Sequence, residues 1–262
     1  MSASPSARAT APTYLIHGRP VSIPVEVRDA VAISAMFVVP VAVVRRLIPA
    51  RELHVPELFP GAAVCVLAAV EYRDNDLGQY NEVAVNFFVK HGGRRPFPFL
   101  GFLAGFRRRE IGAYVHRLPV TTSFSRDAGR DIWGFPKTVE EITFRDEGGR
   151  RTCALVSGGA PVLTLSVVRA GRRRFEDMPQ DTYAWRNGVL FKTPSVMHGE
   201  GVGTRLGGAR LTLGPHPFAE ELRTLGLPKR ALVSSSIEHM RASFGAPEEI
   251  ARARGGPTDE LG

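Results

Sequence analysis

Alternation of apolar and polar residues is the strongest pattern in the chain. Residues 82–90 place Val83, Val85 and Phe87 on one face of a strand and Glu82, Ala84, Asn86 and Phe88 on the other. Apolar, β-branched runs predict further strands over Val31–Val39, Ala62–Tyr72, Ile111–Val120, Thr138–Phe144, Thr152–Val156 and Val162–Arg169, with shorter ones at Arg210–Leu213 and Ala231–Ser235. Helical periodicity is sparse. Pro40 suits the start of a short helix over Val41–Ile48, and Thr122–Gly129 and Phe218–Leu225 carry the other helical signals. Turn-forming clusters recur every 8 to 15 residues without a fixed repeat. The pattern predicts a mainly β protein of the α+β class, built on one strongly curved or closed antiparallel sheet with a few short helices.

The ends read differently. Residues 1–12 are small, polar and proline-punctuated, which predicts a flexible arm with no apolar export signal. Residues 246–262 are charged and glycine-rich and are expected to fray. A single domain over residues 13–245 remains.

Composition narrows the class. Of 262 residues, 44% are hydrophobic and 23% charged, enough to bury a core and too apolar for disorder. The longest apolar run, Val31 to Val44, is broken by Pro40 and is too short to span a bilayer, so no membrane partner is expected. Cys65 and Cys153 sit in strand-like stretches outside any metal or redox motif, as expected of reduced core residues in a cytoplasmic protein. The net charge is +8, carried by 34 basic residues of which four are lysines. Short arginine runs on solvated loops account for this charge. Interleaved aromatics or a reading helix would be needed for nucleic acid, and none is expected as a partner.

Standard catalytic signatures are missing from the sequence: there is no HExxH, G-x-S-x-G or P-loop. Gly199, Gly201 and Gly203 form a GxGxG that reads as a mobile glycine loop. The seven histidines show no metal-ligand spacing, and neither a metal nor a cofactor is expected. His116, inside a strand, either lines a pocket or is structural.

The informative stretch is Gly129-Arg130-Asp131-Ile132-Trp133-Gly134-Phe135-Pro136-Lys137. Proline fixes its own backbone and extends Phe135, presenting a single lysine just before a strand. In a chain that defaults to arginine, a lysine offers what arginine does not. Its amine can lose a proton among apolar neighbours and attack a carbonyl to form a Schiff base.

This segment resembles the active-site segment of the acetoacetate decarboxylase family, roughly G-R-E-x-x-[AG]-[YF]-P-K-K. Leu77-Gly78-Gln79-Tyr80-Asn81-Glu82 is similar to the family's L-G-x-Y-x-E, and Val233-Ser234-Ser235-Ser236 to its late V-S-S-S. Leu47-Ile48-Pro49 also follows its V-V-P, so the resemblance spans about residues 25 to 240. It implies a cone- or barrel-like β fold and an assembly of several copies. Its implied reaction is lysine-imine decarboxylation of a small keto acid, with Lys137 as the Schiff-base lysine and Glu82 as a pocket carboxylate and proton shuttle. Arg130 would hold a substrate carboxylate, or pair instead with Asp131 or Glu140, and Phe135 would wall the pocket.

Departures from the family pattern open a second outcome. Thr138 replaces the family's second lysine, leaving desolvation to unmask the amine largely alone. A second acid of the decarboxylases falls near Leu67, with Glu71 the nearest carboxylate on the same strand face. Their arginine near the first strand falls around Ala30, close to Arg28. Divergent branches of the superfamily use the same imine for aldol and dehydration steps on pyruvate-like acids. An imine-independent binding protein or cyclase is the remaining alternative. The stretch Pro96–Phe102 is expected to form a subunit contact or core.

Overall fold

The computed structural model describes residues 12–169 and 171–253. In chain order the strands are β1 (Thr13–Ile16), β2 (Arg19–Ser22), β3 (Val25–Pro40), β4 (Leu53–His54), β5 (Ala62–Asn75), β6 (Tyr80–His91), β7 (Gly112–Val120) and β8 (Lys137–Val139). They continue as β9 (Glu141–Glu147), β10 (Arg150–Ser157), β11 (Ala160–Val168), β12 (Arg173–Arg186), β13 (Val189–Leu206), β14 (Ala209–Leu213), β15 (Val233–Phe244) and β16 (Glu248–Arg252). The helices are α1 (Val41–Leu47), α2 (Leu100–Arg107), α3 (Ser123–Trp133) and α4 (Pro217–Thr224).

Seven strands close on themselves in the order β6–β5–β3–β15–β13–β12–β7, with β7 bonded back to β6. Closure leaves no free edge along this circuit, which is how a large curved sheet satisfies its backbone groups. Most pairings are antiparallel, as expected, but β7 runs parallel to both β12 and β8. A separate four-stranded sheet, β14–β11–β10–β9, stands apart from the barrel in hydrogen bonding.

The period-two pattern of the strands sorts the core into two apolar clusters. On β6, Val83, Val85 and Phe87 join one cluster with Ile33, Phe37, Cys65 and Leu67. The four-stranded sheet contributes Leu155, Leu163 and Leu165 to the same cluster. Ala84, on the opposite face of β6, joins a second cluster with Val27, Tyr72, Tyr80, Leu118 and Trp133. This second cluster surrounds the cavity described below. Cys65 and Cys153 are free and buried in the first, and burial pushes both thiols up to about 12.

Two expectations change. Gly199, Gly201 and Gly203 lie within β13 rather than in a mobile loop. Part of the segment expected to fray forms β16, paired with β13, while residues 254–262 and the arm residues 1–11 lie outside the described residues. In the Pro96–Phe102 stretch Phe102 is buried, but Phe97 and Leu100 are 82% and 72% exposed. No helix among the described residues is long and apolar enough to cross a membrane.

Candidate active site

Lys137 reaches its position through local chain geometry. The first turn of α3 is capped by Thr122, whose Oγ1 accepts from the Ser125 N–H at 3.3 Å. The helix ends at Gly134, whose φ of 69° lies in the left-handed region that favours glycine. There the Gly134 N–H donates to Arg130 O at 3.1 Å and the Phe135 N–H to Gly129 O at 3.0 Å. Pro136 cannot continue a helix, and the chain enters β8 directly. Alternation along β8 then turns Lys137 inward, 4% exposed, and leaves Thr138 exposed on the outside.

The hairpin of β5 and β6 supplies the partner. Asn75 closes its turn, accepting the Leu77 N–H at 2.8 Å and donating to Gly78 O at 2.6 Å. The resulting register sets Tyr72 opposite Tyr80 and Val70 opposite Glu82. Tyr72, Tyr80 and Glu82 therefore share one face. Lys137 Nζ lies 2.9 Å from Glu82 Oε2, and the Tyr72 hydroxyl donates to Glu82 Oε1 at 3.1 Å. Nζ also stands 5.0 Å from the centroid of the Tyr80 ring, within cation–π range. The two tyrosine rings stack at 4.5 Å. Burial, reinforced by the Glu82 charge, holds both phenols well above their ordinary range. Tyr72 thus remains a donor to Glu82 rather than a base.

These groups open into a cavity of about 100 Å³. Its walls come from six of the seven closing strands, so it lies inside the barrel. Val27, Leu118, Trp133 and Phe135 make it largely apolar, and Phe135 stacks on Trp133 with centroids 5.8 Å apart. Lys137 and Glu82 are the charged residues of the described lining. Shielded from solvent, the ammonium and the carboxylate balance each other's charge across 2.9 Å.

A family model for acetoacetate decarboxylase matches residues 10–248. The chain belongs to the acetoacetate decarboxylase family. Solved structures agree on the fold. The acetoacetate decarboxylase of Legionella pneumophila subsp. pneumophila str. Philadelphia 1 is 16% identical, with a TM-score of 0.66 over 95% of this chain and 93% of that one. A second acetoacetate decarboxylase structure gives 0.61 at 16% identity, covering 87% and 90%. The enduracididine biosynthesis enzyme MppR, complexed with pyruvate, gives 0.58 at 16% identity, covering 87% and 91%. No curated protein matches.

The family's lysine segment and its L-G-x-Y-x-E segment thus meet at one cavity, which brings Lys137, Glu82 and Phe135 together. The other candidates fall elsewhere. Arg130 is exposed on the last turn of α3 and outside the lining, because the helix turns Ala128 and Gly129 inward and residue 130 out. Asp131 pairs with Arg186 at 3.3 Å instead. Thr138 is outside for the reason of alternation given above. Glu71 does lie on the Leu67 face, but that face of β5 is turned away from the lysine, and Glu71 pairs with the buried Arg151 and with Arg73. His116 stands at an irregularity in the β6–β7 register and bonds Glu221 of α4 at 2.8 Å, outside the lining. Arg28 pairs with Asp74 and Asp76 at the protein surface. Residues not singled out as candidates complete the site: Tyr72, Tyr80, Asn86 and Trp133. Alternation from Glu82 already placed Asn86 on its face, and strand pairing across the Gly78 turn would have added Tyr72.

Proposed function

We propose that this member of the family is a carbon–carbon lyase that forms a Schiff base at Lys137 and decarboxylates a small β-keto acid. The observation that carries the reading is the buried Lys137 amine, 2.9 Å from Glu82 and facing a largely apolar cavity. Glu82 takes a proton from the ammonium as substrate displaces solvent, and the free amine adds to the ketone carbon. Loss of water gives a protonated imine. The bond to the carboxylate then breaks, its electron pair moves into the enamine, and carbon dioxide leaves. Glu82, which gave its first proton to the departing hydroxyl, relays a second from water to the enamine carbon, and hydrolysis releases the ketone and the lysine. The Tyr72 hydroxyl keeps the Glu82 carboxylate oriented through these steps.

The charge balance of the cavity favours this outcome. Firm binding of the ground-state carboxylate opposes its loss, and the described lining pairs its one lysine with its one glutamate. An aldol or dehydration outcome on pyruvate-like acids is the second reading. MppR, crystallised with the condensation product of pyruvate and imidazole 4-carboxaldehyde, lends it weight. That chemistry retains the carboxylate throughout and is favoured by a cation that holds it. An assembly of several copies in a reducing, cytoplasmic setting completes the proposal; the exposed Phe97 and Leu100 and the two free cysteines fit it.

Borohydride trapping in the presence of keto acids tests the reading. The expected result is an added mass on Lys137 and release of carbon dioxide from a β-keto acid, both lost in Lys137→Ala. Trapping without carbon dioxide release moves the assignment to the aldol branch. Full activity in Lys137→Ala defeats the imine altogether.

A further inference from the structure

The cavity has a second polar end that the imine chemistry leaves unused. Asn86 Oδ1 is buried and has no hydrogen-bond partner, one of two such side-chain atoms among the described residues. The other, Arg151 Nε, belongs to a guanidinium already paired with Glu71 and Asp146. Asn86 lines the same cavity as Lys137. A buried carbonyl oxygen without a donor is costly, and native structures retain one mainly where a ligand or water completes it.

Its placement on β6 gives the distance. Glu82, Ala84 and Asn86 lie at alternate positions on the cavity face. Four residues of strand separate the Cα atoms of Glu82 and Asn86 by about 13 Å. Ala84 lies between them on β6, and Val115 lines the wall at the Asn86 end, paired with Asn86 across the β6–β7 ladder. The cavity therefore has a reacting end at Lys137 and Glu82, an apolar middle, and an acceptor at the far end.

We infer that Asn86 is a specificity-determining residue that accepts a hydrogen bond from a hydroxyl or N–H group on the substrate. The carbonyl compound taken by Lys137 then carries a hydrogen-bond donor at the end remote from its carbonyl, joined by a short apolar linker. This rests on the imine reading of Lys137 and narrows its substrate class. A site built to satisfy a buried polar group discriminates against the apolar analogue, because binding the analogue seals the acceptor unpaired.

Paired methyl ketones provide the test. Each ω-hydroxy ketone, with three to five methylenes between carbonyl and hydroxyl, is matched to the ketone in which a methyl replaces the hydroxyl. Borohydride-trapped adduct at Lys137 is measured at sub-saturating ketone. The wild type is expected to trap one hydroxy ketone about tenfold or more in preference to its methyl partner. Asn86→Leu is expected to trap both members equally, and Asn86→Asp, which keeps an acceptor oxygen, to retain the preference. Equal trapping of every pair by the wild type overturns the inference and leaves the imine standing. So does a preference that survives in Asn86→Leu. Absence of adduct with all ketones and keto acids removes the imine reading and this inference with it.

Discussion

Lys137 lies directly over Gly129. A methyl group added at Gly129 would stand 2.5 Å from Lys137 Cδ and 2.6 Å from Cε. The glycine that opens the family's lysine segment thus leaves the groove in α3 through which the lysine stem reaches the cavity. Because the stem is buried, it has little room to yield. Gly129→Ala is therefore expected to shift the amine away from Glu82 and to slow imine trapping about tenfold or more. Alanine favours a helix by about 1 kcal/mol over glycine, so the helix itself is not weakened. Thermal unfolding close to wild type with slowed trapping supports the relationship; unchanged trapping contradicts it.

Thr138 gives the converse case. It occupies the position of the family's second lysine, yet its side chain is exposed on the opposite face of β8 from Lys137. A cation there would be screened by solvent and directed away from the cavity. Thr138→Lys is expected to change the rate and pH profile of trapping by less than about twofold. An acceleration of an order of magnitude would show that the outer face of β8 controls the amine.

The ion pair of Lys137 and Glu82 predicts a pattern in stability. Removing one member of a buried pair leaves the other charge uncompensated, at a cost of about 3–5 kcal/mol. Replacing both by apolar residues of similar size is often neutral. Lys137→Met and Glu82→Leu should each lower the unfolding free energy by about 3 kcal/mol, and the double variant should recover most of that loss. Denaturant unfolding of the four proteins measures the coupling. Simple additivity of the two losses would show that the pair is not isolated from solvent as the structure has it.

Much of this site was legible in the chain because it rests on local rules. The alternation of β6 fixed the shared face of Glu82, Ala84 and Asn86, and glycine and proline around residue 135 announced how a lysine enters a strand. The misplacements came from direction rather than identity. Arg130 has the right chemistry, but helical phase decides where it points, and the buried pattern of α3 turns it outward. Glu71 follows Leu67 by an even offset, but the offset does not say which face of β5 the cavity occupies. That is fixed by pairing with β6, a non-local event. β12 and β13 were illegible for another reason. β12 is rich in charge, and β13 contains Pro194 and three glycines at residues 199–203, so neither resembles a half-buried strand in isolation. Both are held by their neighbours in the closed circuit rather than by their own propensity.

The pairing of Glu221 with His116 and Arg117 makes the barrel's grip on α4 sensitive to acid. Burial alone would raise the Glu221 carboxyl, but hydrogen bonds from His116 at 2.8 Å and Arg117 at 2.6 Å outweigh it and lower the group to about 2. A carboxylate held below its unfolded value of about 4.3 stabilises the fold fully above that value. The contribution is lost as the pH falls from there towards 2, since the folded state must then take up a proton against its partners. With the side chain 20% exposed, about 1–3 kcal/mol is expected from this source. Glu221→Gln should lower stability by that amount at neutral pH and flatten the decline between about pH 5 and pH 2. The check is urea unfolding of both proteins across that range. Parallel curves with no convergence at low pH would mean that the carboxylate gains nothing from His116 and Arg117, and that α4 is held by its other contacts, the buried Ala219 and Leu222 and the bonds of Arg223 to Leu213 O and Gly214 O.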